Sequence, residues 1–304
     1  MAGSAADRRT RLTVLVALAA NLVIAAAKTV GGLASGSPAL LSEAAHSVAD
    51  SLNEVFLLAA LRRSRRPADA RHPFGYGKER YFWALLAAVG IFVMGGCFSF
   101  YQGLSALRRG DHDPPEGYTA GLIVLGVAFV AEATSLTRAL HQARGEKRGA
   151  LDPALRTVIA EDSTAVLGVT LAMAGMGLHL ATGSVVWEAA ASLGIGLLLV
   201  YVAFRLGRDA RDQLIGEAVD PELRRDLVGF LMRQGEIDNV AELLTMRLGM
   251  DSVLVAARID LAPGIDSERV EEVSMRIREA MADRWPQADQ IFLDITNAPP
   301  RAGL

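Results

Sequence analysis

The sequence predicts an α-helical membrane protein, with six transmembrane helices followed by a small cytoplasmic α+β domain. Three observations predict it. Of 304 residues, 51% are hydrophobic and 21% charged, and the two populations are segregated into long apolar blocks with charges between them. Basic residues crowd every second connection between those blocks. Beyond Gly216 the long blocks stop and the shorter periods of a water-soluble fold take over.

The apolar blocks run Leu12–Leu33, Pro38–Leu61, Tyr81–Leu107, Tyr118–Leu140, Ala154–Leu180 and Val185–Leu206. Each reaches the roughly 20 residues that cross a bilayer as a helix, and in lipid each must be helical to satisfy its own backbone. Arg8, Arg9 and Arg11 before the first block would also suit a secretory signal. That block is longer than a signal core, however, and five similar blocks follow it.

Orientation follows from the short loops. The leading tail carries Arg8, Arg9 and Arg11, and the second connection carries Arg62, Arg63, Arg65, Arg66, Arg71, Lys78 and Arg80. The fourth holds Arg144, Lys147 and Arg148, and Arg205, Arg208 and Arg211 cluster at and beyond the end of the last block. The alternate turns at Gly36–Pro38, Gly110–Gly117 and Ala181–Gly183 are nearly free of bases, apart from Arg108 and Arg109 at a helix end. Both termini are therefore expected on the cytoplasmic side, which in a bacterium means the plasma (inner) membrane.

From Glu217 onward there are 17 acidic residues against 10 arginines, a balance of −7, while the whole chain is only −3. Asp220 and Pro221 start a helix to about Gln234. A strand is expected near Asn239–Met246, and another over Ser252–Leu261, where Val253, Val255, Ala257, Ile259 and Leu261 alternate. Asp266 opens a second helix with Val270, Val273 and Ile277 at helical spacing, and Gln290–Thr296 closes with a strand. The order α-β-β-α-β is the ferredoxin-like plan of helices on one face of a sheet. The expected domains are a tail at 1–11, a six-helix membrane domain at 12–207 and a cytoplasmic domain at 208–304. A single cysteine, Cys97, excludes an intrachain disulfide.

Ionisable residues inside the apolar blocks carry the functional signal, because a charge near the bilayer centre costs roughly 2.5–3.5 kcal/mol. The second block holds Glu43, His46, Asp50 and Glu54; the fifth holds Glu161 and Asp162; the fourth holds Glu132; the first holds Asn21 and Lys28. Lys28, Glu43 and Glu54 lie near span ends and are expected to snorkel. Glu132 would join a proton path or pair with a neighbouring helix. His46 and Asp50, four residues apart, share one helix face and supply half of a four-ligand divalent-metal site. Asp162 supplies a third ligand. Glu161, about 100° further round its helix, is a fourth ligand or a supporting group. The alternative is that His46 and Asp50 bind only each other, as polar glue between helices.

The run GSPALLSEAAHSVADSLNEVFL at Gly36–Leu57 resembles the second-helix region of the cation diffusion facilitator family, as does HPFGYGKERYFW at His72–Trp83. EDSTAVLG at Glu161–Gly168, WEAAASLGIGLLL and LIGEAVDP resemble the branch containing the mitochondrial zinc transporter nine. The resemblance implies that His46, Asp50 and Asp162 ligate a transported Zn²⁺, and that the protein is a proton-coupled efflux carrier working by alternating access as a homodimer. Typical zinc members place a histidine where this chain has Val158. An oxygen-richer site also admits Mn²⁺, Fe²⁺, Co²⁺ or Cd²⁺.

Other clusters are weaker. Asp69 and His72 match a second metal site of some relatives, but Tyr76 stands where its histidine would be, and a solvated connector is the simpler reading. Asp111, His112 and Asp113 form an acid-imidazole-acid cluster on the outer face that would attract cations, but a solvated turn before Pro114–Pro115 is the simpler reading. His141 and His179 sit at helix ends as interfacial residues. HExxH, Walker A and GxSxG patterns are missing from the sequence, so no enzyme, nucleotide, prosthetic group or nucleic-acid partner is expected. The rivals are a non-transporting membrane scaffold or partner subunit with structural acids, and an intramembrane metalloenzyme with Glu161 as base.

Overall fold

The computed structural model describes residues 2–110, 117–145, 153–250 and 252–296. Six long helices come first: α1 (Ala2–Ser35), α2 (Pro38–Arg63), α3 (Glu79–Arg109), α4 (Tyr118–Gly145), α5 (Pro153–Thr182) and α6 (Val186–Ile215). They are followed by α7 (Pro221–Leu231), β1 (Ile237–Arg247), β2 (Val253–Leu261), α8 (Ser267–Arg284) and β3 (Gln290–Ile295). The expected order of six long helices and then α-β-β-α-β is the one observed.

Five of the long helices contain segments long and apolar enough to cross a membrane: Leu18–Ser35, Glu79–Arg109, Tyr118–Arg144, Ile159–Thr182 and Val186–Ile215. The sixth, α2, is 26 residues long, about 39 Å at 1.5 Å per residue. It falls short on composition alone, since Glu43, His46, Asp50 and Glu54 interrupt it. Its start is well specified: Ser37 caps it by accepting from Leu40 N at 3.2 Å, and Pro38 takes the first helical position. Within α3 the residues Ile91–Cys97 form a π-helical stretch, a widened turn common at functional positions.

The chain divides into two compact units. One comprises the residues up to Ala59 together with Ala84–Arg208; the other joins Ala60–Trp83 to Asp209–Leu304. In the first, Leu40, Leu125, Val169, Met176, Ile195 and Leu199 form the apolar centre. Val23, Val30, Ile123, Val127, Leu197 and Phe204 point outward, each more than 60% exposed, while Lys28, Glu43, His46 and His179 are buried. Apolar outside and ionisable inside suits lipid as the solvent.

In the second unit β2 lies between β1 (antiparallel) and β3 (parallel). The alternation read from the sequence is real: Val253, Val255, Ala257 and Ile259 are all buried, against Leu227, Leu231, Val273, Ile277 and Met281 of the two helices. Asp266 caps α8 by accepting from Arg269 N at 2.9 Å. The connector between α2 and α3 belongs to this unit. Lys78 Nζ donates to Leu214 O at 3.3 Å, and Tyr81 donates to Gly249 O at 3.2 Å. Gly77 lies so close to the Leu248 carbonyl that any side chain there would collide.

Candidate metal centre

On α2 the polar residues Glu43, His46, Ser47, Asp50, Asn53 and Glu54 recur at three- and four-residue steps, which the 3.6-residue period gathers into one stripe. On α5 the same period brings Glu161, Asp162 and Ala165 to one side. The two stripes meet at a cavity of about 120 Å³ lined by Asn21 and Ile24 of α1, Ser47, Asp50, Asn53 and Glu54 of α2, Glu132 of α4, and Glu161, Asp162 and Ala165 of α5. That volume accommodates a partly hydrated ion. Neither α3 nor α6 contributes to the wall.

Asp50, Glu161 and Asp162 thus share one cavity. His46 stands one turn from Asp50, with Nε2 3.6 Å from Asp50 Oδ2, and is 4% exposed. Neither ring nitrogen of His46 makes a hydrogen bond among the described residues, and the buried Asp162 Oδ2 makes none either. Leaving such groups without partners costs about 1–3 kcal/mol each, a cost that a cation between them would remove. These side chains stand around the space rather than closed on a point, for no three His, Cys, Asp or Glu side chains among the described residues lie close enough to hold an ion. Asn53 donates to Glu161 at 3.4 Å and Asn21 to Glu54 at 2.8 Å, which orients two of the carboxylates.

The snorkelling expected of Lys28, Glu43 and Glu54 does not occur. Lys28 and Glu43 are wholly buried: Lys28 Nζ donates to Glu43 Oε2 at 3.0 Å and to Glu132 Oε1 at 2.9 Å. Glu54 turns into the cavity. Pairing between helices removes the need to reach water, and this pairing is also the role the structure gives Glu132.

His179 likewise is not interfacial. It is 1% exposed and its Nδ1 lies 2.5 Å from Glu188 Oε1, to which Tyr118 also donates at 2.5 Å. Ser37 donates to the other Glu188 oxygen. Glu188 therefore gathers groups from α4, α5 and the start of α2 at one end of the bundle. Sequence reasoning missed it, although an acid in the first turn of α6 facing His179 across a short turn was a readable signal.

In the connector, Asp69 accepts from Tyr76 at 2.6 Å, His72 N at 2.8 Å and Arg71 N at 2.9 Å, and the His72 ring stacks on Tyr76 at 4.3 Å. Both carboxylate oxygens are already in use. The Tyr76 hydroxyl, then the backbone amides, hold the Asp69 carboxyl at about 2, below the usual value of about 3.9. A depressed carboxylate stabilises its loop above its ordinary pKa, and loses that effect as pH falls through the lowered one. The expected result is a Tyr76 ring environment constant from neutral pH to about 4 and changing between about 4 and 2. The chemical shift of an isotope-labelled Tyr76 ring reads it, and Asp69→Asn removes the transition. Asp111, His112 and Asp113 lie outside the described residues.

The chain is similar to proteins of one membrane family. Residues 14–215 match the family model of the cation efflux transmembrane domain, a stretch that takes in the cavity-lining helices. The chain is 31% identical over 258 residues, 81% of its length, to the proton-coupled zinc antiporter SLC30A9, mitochondrial, of Xenopus laevis. It is 31% identical over 268 residues, 84% of its length, to metal tolerance protein C4 of Arabidopsis thaliana. It spans about half the length of these two, 46% and 58% respectively. With the manganese efflux system protein MneP of Bacillus subtilis it shares 22% identity over 95% of its own length and 96% of that protein's. A helix bundle that buries acids around a cavity, and matches this model across the helices that form it, identifies the chain as a multi-pass membrane member of the cation efflux, or cation diffusion facilitator, family, near its zinc transporter nine branch.

Proposed function

We propose that this chain exports divalent cations, Zn²⁺ first among them, in exchange for protons. The observation that carries the reading is the shared cavity: Asp50, Glu161 and Asp162 from two helices line it, with the unsatisfied ring of His46 beside Asp50. His46, Asp50 and Asp162 are the ligands and Glu161 completes the set. Metal binding requires a neutral imidazole and ionised carboxylates, so the ion displaces protons. Reprotonation of the site from the other side releases the ion and resets the carrier by alternating access. Residues 12–207 carry transport. Residues 208–304 form a cytoplasmic domain through which two copies associate, as in the family resemblance. The bases of the connector keep both termini on the cytoplasmic side, at the inner membrane in a bacterium. Relatives whose names refer to zinc and to manganese make metal choice a property of the ligand set, and oxygen-rich sets admit harder ions.

Purified protein in proteoliposomes should take up Zn²⁺ when a pH gradient is imposed and stop when the gradient is collapsed. Uptake indifferent to the gradient would remove proton coupling, and no uptake of any divalent ion would leave the scaffold reading in its place. Val158→His, which adds a nitrogen donor one turn before Asp162, should raise the preference for Zn²⁺ over Mn²⁺ by about tenfold in a competition series.

A further inference from the structure

Lys28 is an ammonium buried in the centre of this bundle, held by two carboxylates of unequal situation. Glu43 is fully buried, and its other oxygen is packed against Gly168 of α5, where a side chain would collide with it. Glu132 lies on the cavity wall with Asp50, Glu54, Glu161 and Asp162, and its second oxygen, Oε2, has no hydrogen bond among the described residues. The triad therefore holds one acid more than it holds bases, and the acid in excess faces the cation route. If Glu132 left, Lys28 would keep Glu43 as a one-to-one partner at 3.0 Å and would not become an isolated buried charge. A divalent ion bound at about 2 Å outcompetes an ammonium at 2.9 Å for the same oxygen.

We propose that Lys28 is a tethered competitor for the transported cation, holding Glu132 in the empty carrier and ceding it to the ion on binding. Glu132 is then a further cation-binding carboxylate, and Lys28 a positioning residue that sets affinity and hence the ease of release. The inference rests on the cavity being the cation site.

Titration calorimetry of the purified full chain with Zn²⁺ tests it. Lys28→Met should tighten binding by about tenfold, the scale of coupling between charged neighbours, and slow turnover in proteoliposomes. Lys28→Arg should stay near wild type. In a Glu132→Gln background Lys28→Met should change affinity less than about twofold. If Lys28 only supports the fold, Lys28→Met will weaken binding or leave it unchanged, alike in both backgrounds, and the proposal falls. Should Lys28→Met not fold, Glu132→Gln alone decides: about tenfold weaker binding supports the role, and wild-type affinity overturns it. Asp50→Ala separates the two layers of argument. If it binds as wild type does, the cavity is not the site. If it abolishes binding while Lys28→Met and Glu132→Gln titrate as wild type, only the competitor role is lost.

Discussion

Replacing Asp50 with alanine is expected to weaken divalent-cation binding by more than about 100-fold, beyond the 10- to 100-fold cost of removing groups that merely orient ligands. Asp50 is the one carboxylate that both lines the cavity and stands within 3.6 Å of the His46 ring. Removing it takes away the carboxylate beside the imidazole in the cavity shared with the α5 acids. Folding should survive, because the Asp50 carboxylate makes no hydrogen bond among the described residues and its side chain is 38% exposed. Asp162→Ala should behave alike, and Glu161→Gln less severely, since Asn53 holds Glu161 at its side. Calorimetry and vesicle uptake on the same preparations check all three. Wild-type uptake by both aspartate variants would refute the assignment.

Glu188→Ala should cause the largest loss of stability. Glu188 is 1% exposed and is the shared acceptor for Ser37, Tyr118 and His179, which come from three other parts of the bundle. Truncating it removes the buried acceptor that all three share, at a cost of about 3 kcal/mol. For a folding unit of this size the thermal midpoint should fall by roughly 6–12 °C. Thermal unfolding in detergent measures it. Glu188→Gln, which keeps an acceptor oxygen in place, should lose less. An unchanged midpoint in Glu188→Ala would mean that the junction contributes little to cohesion.

The periodic features were legible in the sequence. The stripe from Glu43 to Glu54 and the pair Glu161–Asp162 announce themselves by spacing, and the alternation from Val253 to Ile259 places a strand within a residue of its true limits. Pairings across the chain were not legible. Lys28 and Glu132 are 104 residues apart, and no period in either helix says that they meet. Judged only by its distance from a span end, Lys28 looks able to reach water. Its actual environment depends on how α1, α2 and α4 pack. His179 was misread for the same reason, since nothing in its own helix distinguishes an interfacial imidazole from one facing Glu188. The bond from Tyr76 to Asp69 was not legible either, since the sequence showed only that a phenol stands where a ligand histidine would.

The backbone passes between the two compact units three times, near Ala59, Ala84 and Arg208. The small unit is therefore not a cassette that can be clipped off behind the last long helix. A cut there would take away the Gly249 carbonyl that fastens Tyr81 and the Leu248 backbone that packs on Gly77, and would leave the α2–α3 connector tied through Lys78 to the end of α6.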